Sequence, residues 1–115
     1  MYDIAVIGAG PAGASAAIFT AKAGKKTVVI DSDKGLTRRA WVENMYGILE
    51  ISGPDLVDTG IKQIQKLGAE YVKDQATDIQ KTADGFAIAT ESGKTFNAKY
   101  VILATGIAVD LAEKM

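Results

Sequence analysis

The sequence contains neither cysteine nor histidine. Without thiolates or imidazoles it offers no thiolate or imidazole metal site, no dithiol redox centre, no cysteine nucleophile and no histidine base. Charge of one sign is not concentrated either. The 13 Lys and Arg residues stand against 14 Asp and Glu for a net charge of −1, with no run of like charge. Neither a nucleic-acid surface nor a polybasic membrane patch is expected from such a pattern. No apolar run approaches the roughly 20 residues of a membrane-spanning helix. The opening MYDIAVIGAG lacks the basic stretch of a secretory signal and enters a strand at once. A cytoplasmic protein is the expectation. The 115 residues, 48% of them apolar, fit one domain over 1–115 with a single core.

What is present begins with a compact β–α–β pattern. Asp3-Ile4-Ala5-Val6-Ile7 reads as a strand buried on both faces, stopped by Gly8. Pro11 to Ala23 holds six alanines and is followed by Gly24, the punctuation of a helix. Thr27-Val28-Val29-Ile30 is a second buried strand ending at Asp31. Residues 32–53 are loop-rich, with glycines at 35, 47 and 53. Gly53-Pro54-Asp55 then opens a second helix whose apolar stripe runs through Val57, Ile61 and Ile64. Gly60 interrupts that helix, at a cost of ~1 kcal/mol relative to Ala unless it packs closely on a neighbour. Gly68 reads as its C-cap, and Glu70-Tyr71-Val72-Lys73 as a third strand.

Residues 76–97 change character, with TDIQKT, FAIAT and KTFNA as short strands. Asp84-Gly85 and Ser92-Gly93 separate them as hairpin turns. The fold class is therefore α/β: a Rossmann-like parallel sheet with an inserted three-stranded antiparallel meander. Tyr100-Val101-Ile102-Leu103-Ala104 returns to a parallel strand, and Val109–Met115 reads as the start of a helix. A domain of this kind would continue beyond that point, so the pattern reads as truncated at its C-terminus.

The chemistry lies in the first turn. Gly8, Gly10 and Gly13 form GxGxxG after a buried strand and open a helix, and Asp31 ends the next strand. The first glycine permits the tight turn, the second lets a pyrophosphate approach the backbone, and the third lets helix and strand pack closely. The helix N-terminus offers unpaired N–H groups and partial positive charge to the phosphates. Asp31 is placed to accept hydrogen bonds from ribose hydroxyls and would repel a 2′-phosphate. Lys34, Arg38 and Arg39 lie nearby, either as phosphate ligands or as a solvated basic loop. The glycines alone leave NAD and FAD open.

Three segments together resemble a known family: GAGPAGASAA at 8–17, the meander, and YVILATG at 100–106. They look like the FAD-binding half of the two-dinucleotide-binding-domain flavoproteins, the pyridine nucleotide-disulfide oxidoreductases. Within these, VENMYGILEISGPDLVDTGIKQIQKLGAE at 42–70 is similar to thioredoxin reductases. It carries their Glu-Asn-x-x-Gly segment, then Gly-Pro-x-Leu opening a helix, then Gly-Ala-Glu before a strand. The resemblance implies that Gly8, Gly10, Pro11, Ala12 and Gly13 cradle the FAD pyrophosphate. It places Asp31 on the adenosine ribose, where these flavoproteins more often have Glu. Gln75 and Ala76 match the segment against adenine, Thr105 and Gly106 pass the pyrophosphate and ribityl chain, and Asn44 lies near the isoalloxazine ring.

The departures are equally specific. The family's Gly-Gly-Gln segment is replaced by a shorter loop over 34–41, ending in Trp41, which either stacks on the flavin or simply packs. The later Gly-Asp motif, the NADPH-binding domain and its Cys-x-x-Cys do not occur in these residues. The resemblance therefore implies the FAD-binding part of a flavin oxidoreductase, taking electrons from NAD(P)H and passing them to an acceptor, not a complete thioredoxin reductase. A redox protein partner and a homodimer go with that reading. An NAD-binding dehydrogenase domain and a non-catalytic FAD- or nucleotide-binding module stay open beside it.

Overall fold

A computed structural model describes residues 1–105 of the chain. The expected helix at Val109–Met115 lies outside the described residues. In chain order the elements are β1 (Tyr2–Ile7), α1 (Pro11–Lys22), β2 (Thr27–Asp31), a 3-10 turn (Leu36–Arg39), β3 (Trp41–Val42) and β4 (Ile51–Ser52). There follow α2 (Gly53–Lys66), β5 (Glu70–Lys73), β6 (Ala76–Lys81), β7 (Phe86–Thr90) and β8 (Thr95–Leu103). A six-stranded sheet runs β5-β2-β1-β8-β7-β6, and β3 and β4 form a separate ribbon. β1 lies parallel to β2 and β8, and β2 parallel to β5. β6, β7 and β8 pair antiparallel.

The parallel sheet and the meander are thus as the sequence implies, with one difference in how they join. KTFNA and the strand after it are not two strands but one, the nine-residue β8. Its first half pairs with β7, from Thr95 opposite Ala89 to Ala98 opposite Phe86. Its second half continues along β1, to Leu103 opposite Ile7. Ala98 faces both neighbours, Tyr2 and Phe86, and is fully buried. No turn residue separates Asn97 from Tyr100, so nothing in the sequence breaks the strand there. Gly85 takes φ 158 and Gly93 φ 90 at the two hairpin turns.

Apolar side chains sort to the two faces by the period-2 alternation of a strand. On one face Val6, Val29 and Ile64 pack with Ala9, Ala14, Ala17 and Ala69 beneath α1 and α2. Ile64 is fully buried, which contributes roughly 1.5–3 kcal/mol for such a side chain. On the other face Ala5, Ile7, Val28 and Ile30 share a cluster with Ile79 and Ile88 of the meander. Strands lie about 4.8 Å apart, and β2 and β7 are separated by two others. Ala5 and Ile7 of β1 and Ala98 of β8 carry the cluster across that distance, and the meander extends the apolar face opposite the helices.

Both helices owe their position to small residues. α1 meets the sheet through Ala14 and Ala17, and a Cβ at Gly60 of α2 would come 3.5 Å from the Ala14 methyl. That is ordinary contact, so Gly60 allows the helices to touch without being strictly required. α2 starts where the Ser52 hydroxyl accepts from the Asp55 amide at 3.2 Å. Gly53 is different, because its Cβ would fall 1.5 Å from the Thr37 carbonyl oxygen and 2.8 Å from that of Ala40. Its amide donates to Ala40 at 2.7 Å. The start of α2 is therefore pressed directly onto the backbone of the loop after β2. Gly53→Ala is expected to destabilise the fold by about 1–3 kcal/mol, the usual cost of overpacking. Urea unfolding measures this, and an unchanged midpoint would mean that the loop is not held against the helix.

Candidate functional site

The turn from β1 to α1 is held on three sides by backbone. The Gly8 amide donates to Ile30 at 2.8 Å, and the Ala104 amide to Ile7 at 2.8 Å. Gly8 has φ 104, and a Cβ there would lie 2.2 Å from the Ala104 carbonyl oxygen. A Cβ at Gly13 would lie 1.9 Å from the carbonyl oxygen of Gly8. These two glycines are explained by the protein's own packing. Gly10 is not. It has φ −70 and ψ −174, open to any residue, and a Cβ there would meet no atom of the described residues within 4 Å. No side chain caps this end of α1, and no acidic residue stands in its first turn. Its N–H groups and the positive end of its dipole are left to the space in front.

That space is a cavity of about 510 Å³, within the roughly 300–1,000 Å³ range of small-molecule sites. Gly8, Gly10, Pro11, Ala12, Asp31, Gln75, Ala76 and Thr105 are among its lining residues. Gly13 lies behind the turn rather than in the wall. Asn44 stands outside the cavity, exposed in the loop between β3 and β4, and Gly106 lies outside the described residues. Trp41 is 59% exposed and belongs neither to a core cluster nor to the cavity wall.

Asp31 is only 7% exposed and both its oxygens are engaged. Oδ1 accepts from the Ala9 amide at 3.2 Å, and Oδ2 accepts from the Tyr71 hydroxyl at 2.8 Å. β-sheet register brings the tyrosine there: Tyr71 pairs with Val29, and Asp31 lies two residues on, so both side chains stand on the helix side. Burial first, and then the hydrogen bond to Asp31, hold the Tyr71 phenol well above its ordinary value. Tyr71 did not announce itself in the sequence as a site residue. Its signal was the offset of two within the parallel pairing of β2 and β5, visible only once register is known.

The loop after β2 is tied down by ion pairs. Arg38 binds Asp33 through Nε and Asp58 of α2 through a guanidinium N–H at 2.9 Å, and Lys73 reaches Asp33 at 3.5 Å. Asp33 sits in the left-handed region at φ 63, where Asp is among the few side chains regularly found. Of the three basic residues near Asp31, Arg38 is thus committed to carboxylates, Arg39 is exposed, and Lys34 alone lines the cavity. The Lys34 ammonium is 3.5 Å from the Gln75 side-chain oxygen. Among the described residues no cluster of carboxylates could hold a metal ion.

The shift at Tyr71 has a pH consequence. A phenol whose folded-state pKa is raised adds stability that is complete below its unfolded value, about 10, and is lost as pH rises through the raised value. Between the unfolded value, about pH 10, and the raised one, the unfolding midpoint is expected to fall more steeply with pH in the wild type than in Tyr71→Phe. Parallel curves would remove the hydrogen bond to Asp31 from the folded state.

A profile of the family described as pyridine nucleotide-disulphide oxidoreductase matches residues 2–112. Thioredoxin reductase from Listeria monocytogenes is 39% identical over 111 residues, which is 92% of this chain and 34% of that protein. The Aquifex aeolicus thioredoxin reductase is 37% identical, over 99% of this chain and 36% of its own length. In three dimensions the chain is similar to the atypical thioredoxin reductase of Desulfovibrio vulgaris Hildenborough, with a TM-score of 0.84 and 36% identity, over 94% of this chain and 37% of that one. It is also similar to thioredoxin reductase of Lactococcus lactis, with a TM-score of 0.85 and 35% identity, over 92% and 36% of the two chains. The chain spans about a third of the length of these relatives.

Proposed function

The chain belongs to the pyridine nucleotide-disulphide oxidoreductases, and on that premise we propose that it is the FAD-binding part of a thioredoxin-reductase-like flavin oxidoreductase. The observation that carries this reading is Gly10. Protein packing accounts for Gly8 and Gly13, yet nothing among the described residues requires a glycine at 10. A diphosphate lying against the backbone does require one. The cavity it borders joins an uncapped helix N-terminus to a buried carboxylate, the two ends of an adenosine diphosphate.

In this reading Gly8, Gly10, Pro11, Ala12 and Gly13 form the pyrophosphate cradle. The α1 amides neutralise the phosphates without a countercharged side chain. Asp31 receives the ribose hydroxyls, each such charge-assisted bond being worth ~1.5–3 kcal/mol. Gln75 and Ala76 would hold the adenine and Thr105 the diphosphate and ribityl chain, while the resemblance alone adds Gly106 to the latter and Asn44 to the isoalloxazine. Bound FAD supplies the two-electron chemistry, which no side chain here can supply. The donor is NAD(P)H and the acceptor a redox protein, a reading supported by the name thioredoxin reductase that the relatives carry. No cysteine stands in these residues, so no dithiol step is assigned to them. Pairing as a homodimer belongs to the same proposal. A 2′-phosphorylated ribose is disfavoured, since it would meet the Asp31 carboxylate with Arg38 already paired.

The purified chain is expected to take up FAD and to keep a flavin absorption spectrum through gel filtration. Gly10→Val should lose about 10- to 100-fold in affinity, the equivalent of about 1–3 kcal/mol of overpacking, with an unchanged circular dichroism spectrum. A chain that fails to take up added FAD, or a Gly10→Val variant that retains it equally, would contradict the proposal.

A further inference from the structure

We infer that Tyr71 is a positioning residue of the ribose subsite, and that ribose recognition by Asp31 depends on its hydroxyl. This rests on the reading of the cavity as a dinucleotide site. A carboxylate has about four acceptor positions. The Ala9 amide occupies one on Oδ1 and the Tyr71 hydroxyl one on Oδ2. One position on each oxygen is left, which suits a vicinal pair of hydroxyls such as the 2′ and 3′ groups of a ribose. Terminal carboxylate torsions are broad and two-fold rather than confined to staggered wells. The two donors therefore set which lone pairs are offered to the ligand.

The donors are not equivalent. Ala9 belongs to the glycine turn, and its amide is held by the backbone whatever stands elsewhere. Tyr71 comes from a third element, β5, and reaches Asp31 only because β2 and β5 pair with Val29 opposite Tyr71. Its ring packs against the cluster beneath the helices, so its hydroxyl is fixed in direction. Tyr71 does not line the cavity. It acts on a ligand only through Asp31. Removing the hydroxyl leaves Oδ2 with one fixed partner fewer in a site that is 7% exposed. The carboxylate can then turn and satisfy itself within the loop, so its bonds to the ribose weaken while its charge remains.

The test compares ADP with 2′,3′-dideoxy-ADP by calorimetric titration of the full chain and its Tyr71→Phe variant. Wild type is expected to prefer ADP. In Tyr71→Phe the affinity for ADP should fall about tenfold, the low end of what one hydrogen bond to a charged group contributes, while that for the dideoxy nucleotide is unchanged. An equal loss for both nucleotides would make Tyr71 merely structural, and no loss for either would make it irrelevant; both overturn the inference. If wild type binds the two nucleotides equally, the role of Asp31 on ribose fails and the inference with it. If it binds neither ADP nor FAD, the dinucleotide reading itself has failed. Tyr71→Met, which fills similar space without a hydroxyl, repeats the comparison should the Phe variant not fold.

Discussion

The carbonyl oxygen of Ala104 sits 2.2 Å from where a side chain at Gly8 would begin, and the carbonyl of Gly8 sits 1.9 Å from where one at Gly13 would begin. The stack of three backbone segments, the end of β8 against the end of β1 against the first turn of α1, is too tight for any side chain. It brings the N-terminus of α1 over the carboxyl ends of the parallel strands, where open α/β sheets bind their ligands. The strand order places β1 at the centre, between β2 and β8, so the cavity is walled on both sides. A substituent at either glycine would push the helix off the sheet and open the site as well as strain the fold.

Around that fixed turn the loop after β2 is held from two directions. Arg38 joins Asp33 to Asp58 on α2, and Gly53 brings the start of the same helix onto the loop backbone at Thr37 and Ala40. The ion pairs are partly exposed and are each worth little alone. The backbone approach at Gly53 is what makes the loop's path definite, and Leu36 and Thr37 enter the cavity wall as a result. Position of the loop and shape of the site therefore depend on a helix that itself does not line the cavity.

Much of this was legible in the residues. The buried strands, the helix limits, the GxGxxG turn and its acidic partner all carry strong local signals, because glycine, proline and β-branched runs restrict the backbone directly. Eight of the eleven residues singled out line one cavity, while Gly13 braces it from behind. Asn44 was placed by resemblance rather than by local chemistry, and it stands apart from the cavity on the β3–β4 loop. What local patterns could not carry was register. The continuity of β8, the cluster that Ile88 shares with Val28, and the meeting of Tyr71 with Asp31 each depend on how strands align. The commitment of Arg38 to two carboxylates was hidden for the same reason, since Asp58 lies on another element.

The central claim is that the diphosphate of FAD lies on the backbone of the β1–α1 turn with its ribose on Asp31. The most direct test is a titration of the chain with FAD followed by amide nuclear magnetic resonance. The account predicts that the Gly10 and Ala12 amides shift most, together with those of Asp31 and Gln75. Saturation with FAD that leaves the Gly10 and Ala12 amides unmoved would contradict it.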